Sequence, residues 1–174
     1  MGRRALTGWI GWGLALGLAL AGPAAAGTPA PDLAAPDLAA IAGWVAAELG
    51  APAPEALPRV AFVAADELHR RRYGAAAAEA AATLDLVALY DDATRTIYLA
   101  EGWTGATPRE SSVLVHEMAH HVQSLAGRRY GCGAEREAEA YALQDRWLAR
   151  SGETLETAVE IDALTLLVLT RCPR

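Results

Sequence analysis

Apolar residues recur at helical spacing across 108–125, where Leu114, Val115, Met118, Ala119, Val122 and Leu125 gather on one broad arc at about 100° per residue. Thr107-Pro108-Arg109-Glu110 precedes them with an N-cap threonine, a proline at the first helical position and a glutamate at N3. The pattern predicts a helix from about Pro108 to Leu125 that stops near Gly127. A second helix is expected over 134–150, its apolar face centred on Ala134, Ala138, Tyr141 and Leu148, with Ser151-Gly152 closing it. Upstream, Leu38, Ile41, Val45 and Leu49 mark an amphipathic helix over 37–49 that Gly50, Pro52 and Pro54 end. Arg59 to Ala64 reads as a short strand. Asp66 is expected to cap a helix running into Arg70-Arg71-Arg72, a cluster read as a solvated face. Ala75 to Ala82 is helical by propensity. Leu86–Tyr90 and Thr94–Leu99 form two strands around Asp91-Asp92-Ala93, a hairpin signal. A last apolar helix is expected over 156–170, too short and too interrupted by acids to span a membrane.

Composition changes the picture mainly at the N-terminus. Met1 to Ala26 carries Arg3 and Arg4, then an uncharged apolar run and Ala24-Ala25-Ala26 before Gly27, the signature of a secretory signal peptide. The alternative is a retained N-terminal membrane anchor. Residues 27–36 read as a Pro/Ala-rich linker, which leaves 37–174 as one domain. Without the leader, 13 arginines (15 less Arg3 and Arg4) face 21 acids, a net charge of −8 that disfavours a nucleic-acid groove. No membrane span is expected in the mature domain, and no oligomeric state can be read. Export places the only two cysteines, Cys132 and Cys172, in an oxidising compartment, where they are expected to pair. Two buried free thiols, or Cys132 as a metal ligand, are the alternatives.

The chemistry lies in VLVHEMAHHV. The chain has four histidines, and two of them, His116 and His120, stand four apart with Glu117 beside the first. On a helix they lie about 40° apart, away from the apolar arc, which places two imidazoles and a carboxylate together as a Zn2+-activated water requires. His121 is about 100° from His120 and is expected to be a neutral structural residue.

With Val113, Met118, Ala119 and Val122 in their places, this stretch resembles the signature of the zincin metallopeptidases. A catalytic zinc takes three protein ligands and keeps one position open. No histidine follows at the metzincin spacing, so a carboxylate is the candidate, and the second helix offers Glu135, Glu137 and Glu139. Glu137 projects at the margin of the apolar face, whereas Glu135 and Glu139 fall among Arg136, Arg146 and Arg150 as solvated ion-pair residues. The pattern Glu137-x-x-Ala140 is also similar to that of gluzincin-like enzymes, which take their third ligand from such a helix. Tyr141 stands where several such families have Asp or Asn. It could orient a ligand, stabilise an oxyanion as part of the catalytic equipment, or be a core tyrosine with a satisfied hydroxyl.

The resemblance implies an α+β, zincin-like domain: a small antiparallel sheet packed on the HExxH helix, then a second ligand-bearing helix and a C-terminal helix. It implies peptide-bond hydrolysis with zinc on His116, His120 and Glu137 and with Glu117 as the general base. It also points to Thr96–Trp103 as an exposed edge strand where a peptide or protein substrate could pair. The alternative from another class is a secreted zinc-binding module without catalysis.

Overall fold

A computed structural model of the chain describes residues 35–75 and 86–173. The expected signal peptide, most of the linker and, apart from Ala75, the alanine-rich helix over 75–82 lie outside the described residues. Helix α1 (Ala35–Glu48) begins two residues inside the segment expected to be linker and buries Leu38, Ile41 and Val45. Strand β1 (Arg59–Val63) and helix α2 (Ala65–Tyr73) follow. Asp66 does not cap α2: the N-cap is Ala64, which makes no side-chain cap bond. Asp66 instead sits in the first turn, where it favours the helix dipole and pairs with Arg70.

Strands β2 (Ala88–Asp91) and β3 (Thr96–Ala100) form the expected antiparallel hairpin, turned by Asp91, whose Oδ1 accepts from the backbone N–H of Ala93 and Thr94. The sheet as a whole is mixed. Its order is β1-β3-β2, with β1 parallel to β3 and Arg59 opposite Thr96. The chain enters β2 running opposite to β1 and the hairpin reverses it, so β3 runs in the direction of β1 and pairs with it in parallel on the side away from β2. Two expectations fall with this result. The sheet is not purely antiparallel, and Thr96–Ala100 is its central strand, flanked on both sides, with 101–103 outside the strand. The edge beside the long central helix belongs to β2.

That central helix, α3 (Pro108–Leu125), has the full expected cap: Thr107 Oγ1 accepts from Glu110 N–H, and the Glu110 carboxylate accepts in return from Thr107 N–H. The loop before it is tight. Gly105 adopts φ +73°, and a Cβ there would come 2.7 Å from the buried Trp103 ring. Leu114, Val115, Met118, Ala119 and Val122 are buried as expected, while Leu125 in the last turn is exposed. α3 packs between α1, β2 and helix α4 (Gly133–Ala149). Trp147 of α4 packs edge-on against Trp44 of α1, 5.1 Å between centroids, and its indole N–H donates to Ser111 of α3.

The expected single C-terminal helix is two. Helix α5 (Leu155–Val159) ends on Glu160 in the left-handed conformation (φ 59°), and Asp162 then caps helix α6 (Ala163–Leu169) by accepting from Thr165 N–H. A short polar side chain that offers the backbone an alternative partner restarts the helix there. α6 buries none of its residues, and Leu164, Leu167 and Val168 are exposed. Cys172, just beyond it, forms the expected disulfide with Cys132 at the N-cap of α4. Among the described residues no helix is long and apolar enough to cross a membrane. The architecture is mixed α+β: six helices and a three-stranded sheet among the described residues.

Candidate metal centre

Helices α3 and α4 cross so that His116 and His120 face Glu137. The Glu137 Oε2 lies 3.2 Å from His116 Nε2 and 3.4 Å from His120 Nε2. The three ligand atoms fall within 4.8 Å of one another, and the group could hold a metal ion. Both imidazoles are about nine-tenths buried.

Two glutamines fix how the rings are turned. His116 Nδ1 meets Gln144 Oε1 at 3.1 Å, and His120 Nδ1 meets Gln123 Oε1 at 3.0 Å. The amide ends are determined by their other bonds. Gln123 Nε2 donates to the Arg136 carbonyl and to Glu139, both acceptors only, and Gln144 Nε2 donates to Ser112 Oγ, whose own hydrogen goes to the Arg109 carbonyl. Each glutamine oxygen therefore faces a ring nitrogen that must carry the hydrogen, and each neutral imidazole turns its Nε2 lone pair toward Glu137. Two lone pairs and a carboxylate then converge with no donor between them. A cation satisfies that arrangement; a water or a side-chain hydroxyl would satisfy only part of it.

The electrostatics agree. Burial works against an ionised Glu137, but His116 and His120, which can donate to it through Nε2 once protonated, outweigh burial and hold the carboxyl well below its usual range. Burial likewise favours neutral His120, yet Glu137 and Glu117 raise its proton affinity. The pocket draws positive charge.

Glu117 is buried on the same helix and does not join the three ligand atoms. Its Oε2 accepts the backbone N–H of Tyr90 at 2.6 Å, which pins the carboxylate to the free edge of β2. Tyr141 packs edge-on to His116, 4.5 Å between centroids. Burial, with Glu137 and Glu117 nearby, pushes its phenol up to about 12, so the hydroxyl keeps its proton and remains a donor. His121 points the other way: Nε2 bonds the Ala56 carbonyl and Nδ1 the Tyr90 hydroxyl, a fully buried neutral tie between α3, β2 and the loop after α1. A cavity of about 430 Å³ opens above the group, walled by Tyr141, by Ala88, Leu89 and Tyr90 of β2, and by Arg72 and Leu169.

The three candidate acids separate, though not as a division into buried and solvated. Glu135 accepts from Gly131 N–H at the surface. Glu139 is as covered as Glu137, 31% of each side chain being exposed, and gathers Arg128, the Tyr130 hydroxyl and Gln123. It is an ion-pair residue as expected, through Arg128, but half-buried rather than solvated, and it also supports the glutamine that holds His120. Arg136 is likewise a structural hub: it grips Asp92 of the hairpin through two bonds of 2.6 and 3.0 Å and also donates to the His120 carbonyl and Gln123 Oε1.

Gln123, Gln144 and Arg136 were not singled out from the sequence. The signal was the spacing: Gln123 stands three after His120, and Gln144 two turns after Glu137, each on the face of the ligand beside it. No curated protein and no solved structure matches the chain. Residues 30–174 match the family described as "Domain of unknown function (DUF6647)", and the chain belongs to that family.

Proposed function

We propose that this protein is an exported zinc peptidase of zincin-like, gluzincin-like arrangement, cutting peptide bonds in a peptide or protein substrate. The observation that carries this reading is the pairing of a three-atom acceptor cluster with a separate carboxylate, Glu117, at the wall of the same cavity. His116, His120 and Glu137 would hold the ion, and two imidazoles with one carboxylate suit zinc. Zinc bound there supplies Lewis-acid polarisation of a carbonyl and acidifies a water.

The chain's own residues do the rest. Glu117, with Oε2 fixed by Tyr90 N–H, keeps Oε1 for taking a proton from the attacking water and passing it to the leaving amine. Tyr141, a protonated phenol beside His116, donates to the oxygen on which charge develops. The edge of β2 takes the place first expected of Thr96–Trp103. The register puts Ala88 and Tyr90 between the residues that bond β3; with the Tyr90 N–H given to Glu117, the Ala88 backbone groups and the Tyr90 carbonyl are left at the cavity for an extended peptide to add as a strand.

The test is Glu117→Gln. Zinc content of the purified mature protein should stay near one per chain while hydrolysis of a mixed peptide library falls by at least about a hundredfold. Native protein without stoichiometric metal, and taking up none from micromolar zinc, would refute the reading. A zinc-loaded wild type that cleaves nothing would favour the non-catalytic module.

A further inference from the structure

The arginine cluster at the end of α2 is exposed, as expected of a solvated face, but its three members differ in their partners. Arg70 pairs with Asp66 and Glu67, and Arg71 pairs with Glu67 and lies over the Tyr98 ring, 4.1 Å from its centroid. Arg72, about 100° further round the helix, has no acidic partner among the described residues; its nearest ring contact is its own neighbour Tyr73 at 5.7 Å. It lines the cavity that holds His116, Glu117, Glu137 and Tyr141, and it lies along Leu89–Ala93 at the free edge of β2.

The charge balance of the cavity gives this arginine its meaning. Among its lining residues Glu117, Glu137 and Asp92 are acids and Arg72 and Arg136 are bases, which leaves minus one with the histidines neutral. A divalent ion at the histidines turns that to plus one. Arg136 is committed to Asp92, so the unmatched positive charge sits on Arg72, in a mature chain whose overall charge is strongly negative. Among the described residues no acid meets this cation in the cleft. A substrate carboxylate would complete it.

We propose that Arg72 selects the substrate, and that the site takes peptides carrying a carboxylate next to the scissile bond, either an acidic side chain or a free C-terminus. This rests on the peptidase reading above. A peptide paired along β2 runs beneath Arg72, within reach of a guanidinium on a long flexible stem.

Binding, rather than turnover, tests it. Three peptidyl hydroxamates share one zinc-chelating head and differ at the adjoining residue: glutamate amide, glutamine amide, and glutamine with a free carboxyl. Zinc-loaded wild type should bind one or both acidic compounds about tenfold more tightly than the glutamine amide, and which of them gains tells side chain from terminus. Arg72→Gln should bring all three within about twofold while zinc content is unchanged, and Arg71→Gln should leave the preference intact. Equal binding of the three by wild type, or a preference that survives Arg72→Gln, overturns the selection by Arg72 and leaves the zinc site standing. Failure of all three, the uncharged amide included, to bind zinc-loaded protein overturns the peptidase reading and this inference with it.

Discussion

Neither glutamine that orients a histidine carries charge, so each ring is held by geometry rather than by an ion pair. Gln123→Leu and Gln144→Leu should each weaken metal affinity by about 10- to 100-fold, read by competition with a chromophoric chelator. Glu137→Ala, which removes a ligand atom, should cost orders of magnitude more. Glu139→Ala should cost a few-fold through the loss of its bond to Gln123, and Glu135→Ala nothing measurable. A ranking with Glu139→Ala below Glu137→Ala would move the third ligand atom to the other acid. The histidines and Glu117 were legible because four-residue spacing on a helix fixes their facing whatever the tertiary fold. Glu137 was legible for a weaker reason. The buried face of α4 is centred near Ala140, Leu143 and Gln144, more than a third of a turn from the face expected on Ala134, Ala138 and Tyr141, and Glu137 lies between the two centres. Its selection survived an error in the phase. Arg136 was not legible, since its partner Asp92 lies 44 positions away and nothing local announces the pairing.

The start of α3 is an element-scale control on the centre. Glu110 is covered enough for burial to oppose its charge, but bonds from Thr104 and Thr107 outweigh this and hold its carboxyl below the ordinary 4.5. A carboxyl held low stabilises the fold above its unfolded value and loses that contribution as pH falls through the folded one. Glu110→Gln should therefore destabilise by about 1 kcal/mol at neutral pH. Urea melts of the two proteins should converge as pH drops below about 4.5. A gap that persists in acid would show that packing, not the charged cap, is what the substitution removes. Gly105→Ala should harm the same entrance by forcing a Cβ into Trp103 at a positive φ, lowering Tm more than Gly102→Ala, which has open space. Local signals made the cap of α3, the hairpin and the spans of α3 and α4 readable. The parallel pairing of β1 with β3 was not, because it joins segments 37 residues apart, and its consequence was the misplaced edge strand. The break at Glu160 was missed because an apolar count over 156–170 outweighed Asp162, whose capping role shows only beside Thr165.

Across the whole molecule, burial is uneven. α1, the sheet, α3 and α4 share one core, whereas the segment after α4 contributes only Leu155 to the buried hydrophobic residues. α5 is moored by Leu155 N–H to Asp145 and by Arg109 to the Ala158 carbonyl. α6 has no such burial, yet Leu169 forms part of the cavity wall and Leu166 lies near Tyr141. Closing a separation of 40 residues, the Cys132–Cys172 bond can stabilise the fold by up to about 4 kcal/mol on chain-entropy grounds, and Cys172→Ser should lower Tm accordingly. The loss should fall short of that ceiling if the tail opens before the core does, a difference that denaturant slopes can read. The disulfide then has a meaning beyond stability. One side of the cavity is attached by a covalent clasp rather than by packing, so a dithiol reductant should act on it as a latch. Amide exchange across 160–172 should quicken on reduction while α3 and α4 stay protected, and the ion-binding cluster, built wholly from those two helices, should survive with its chamber missing a wall.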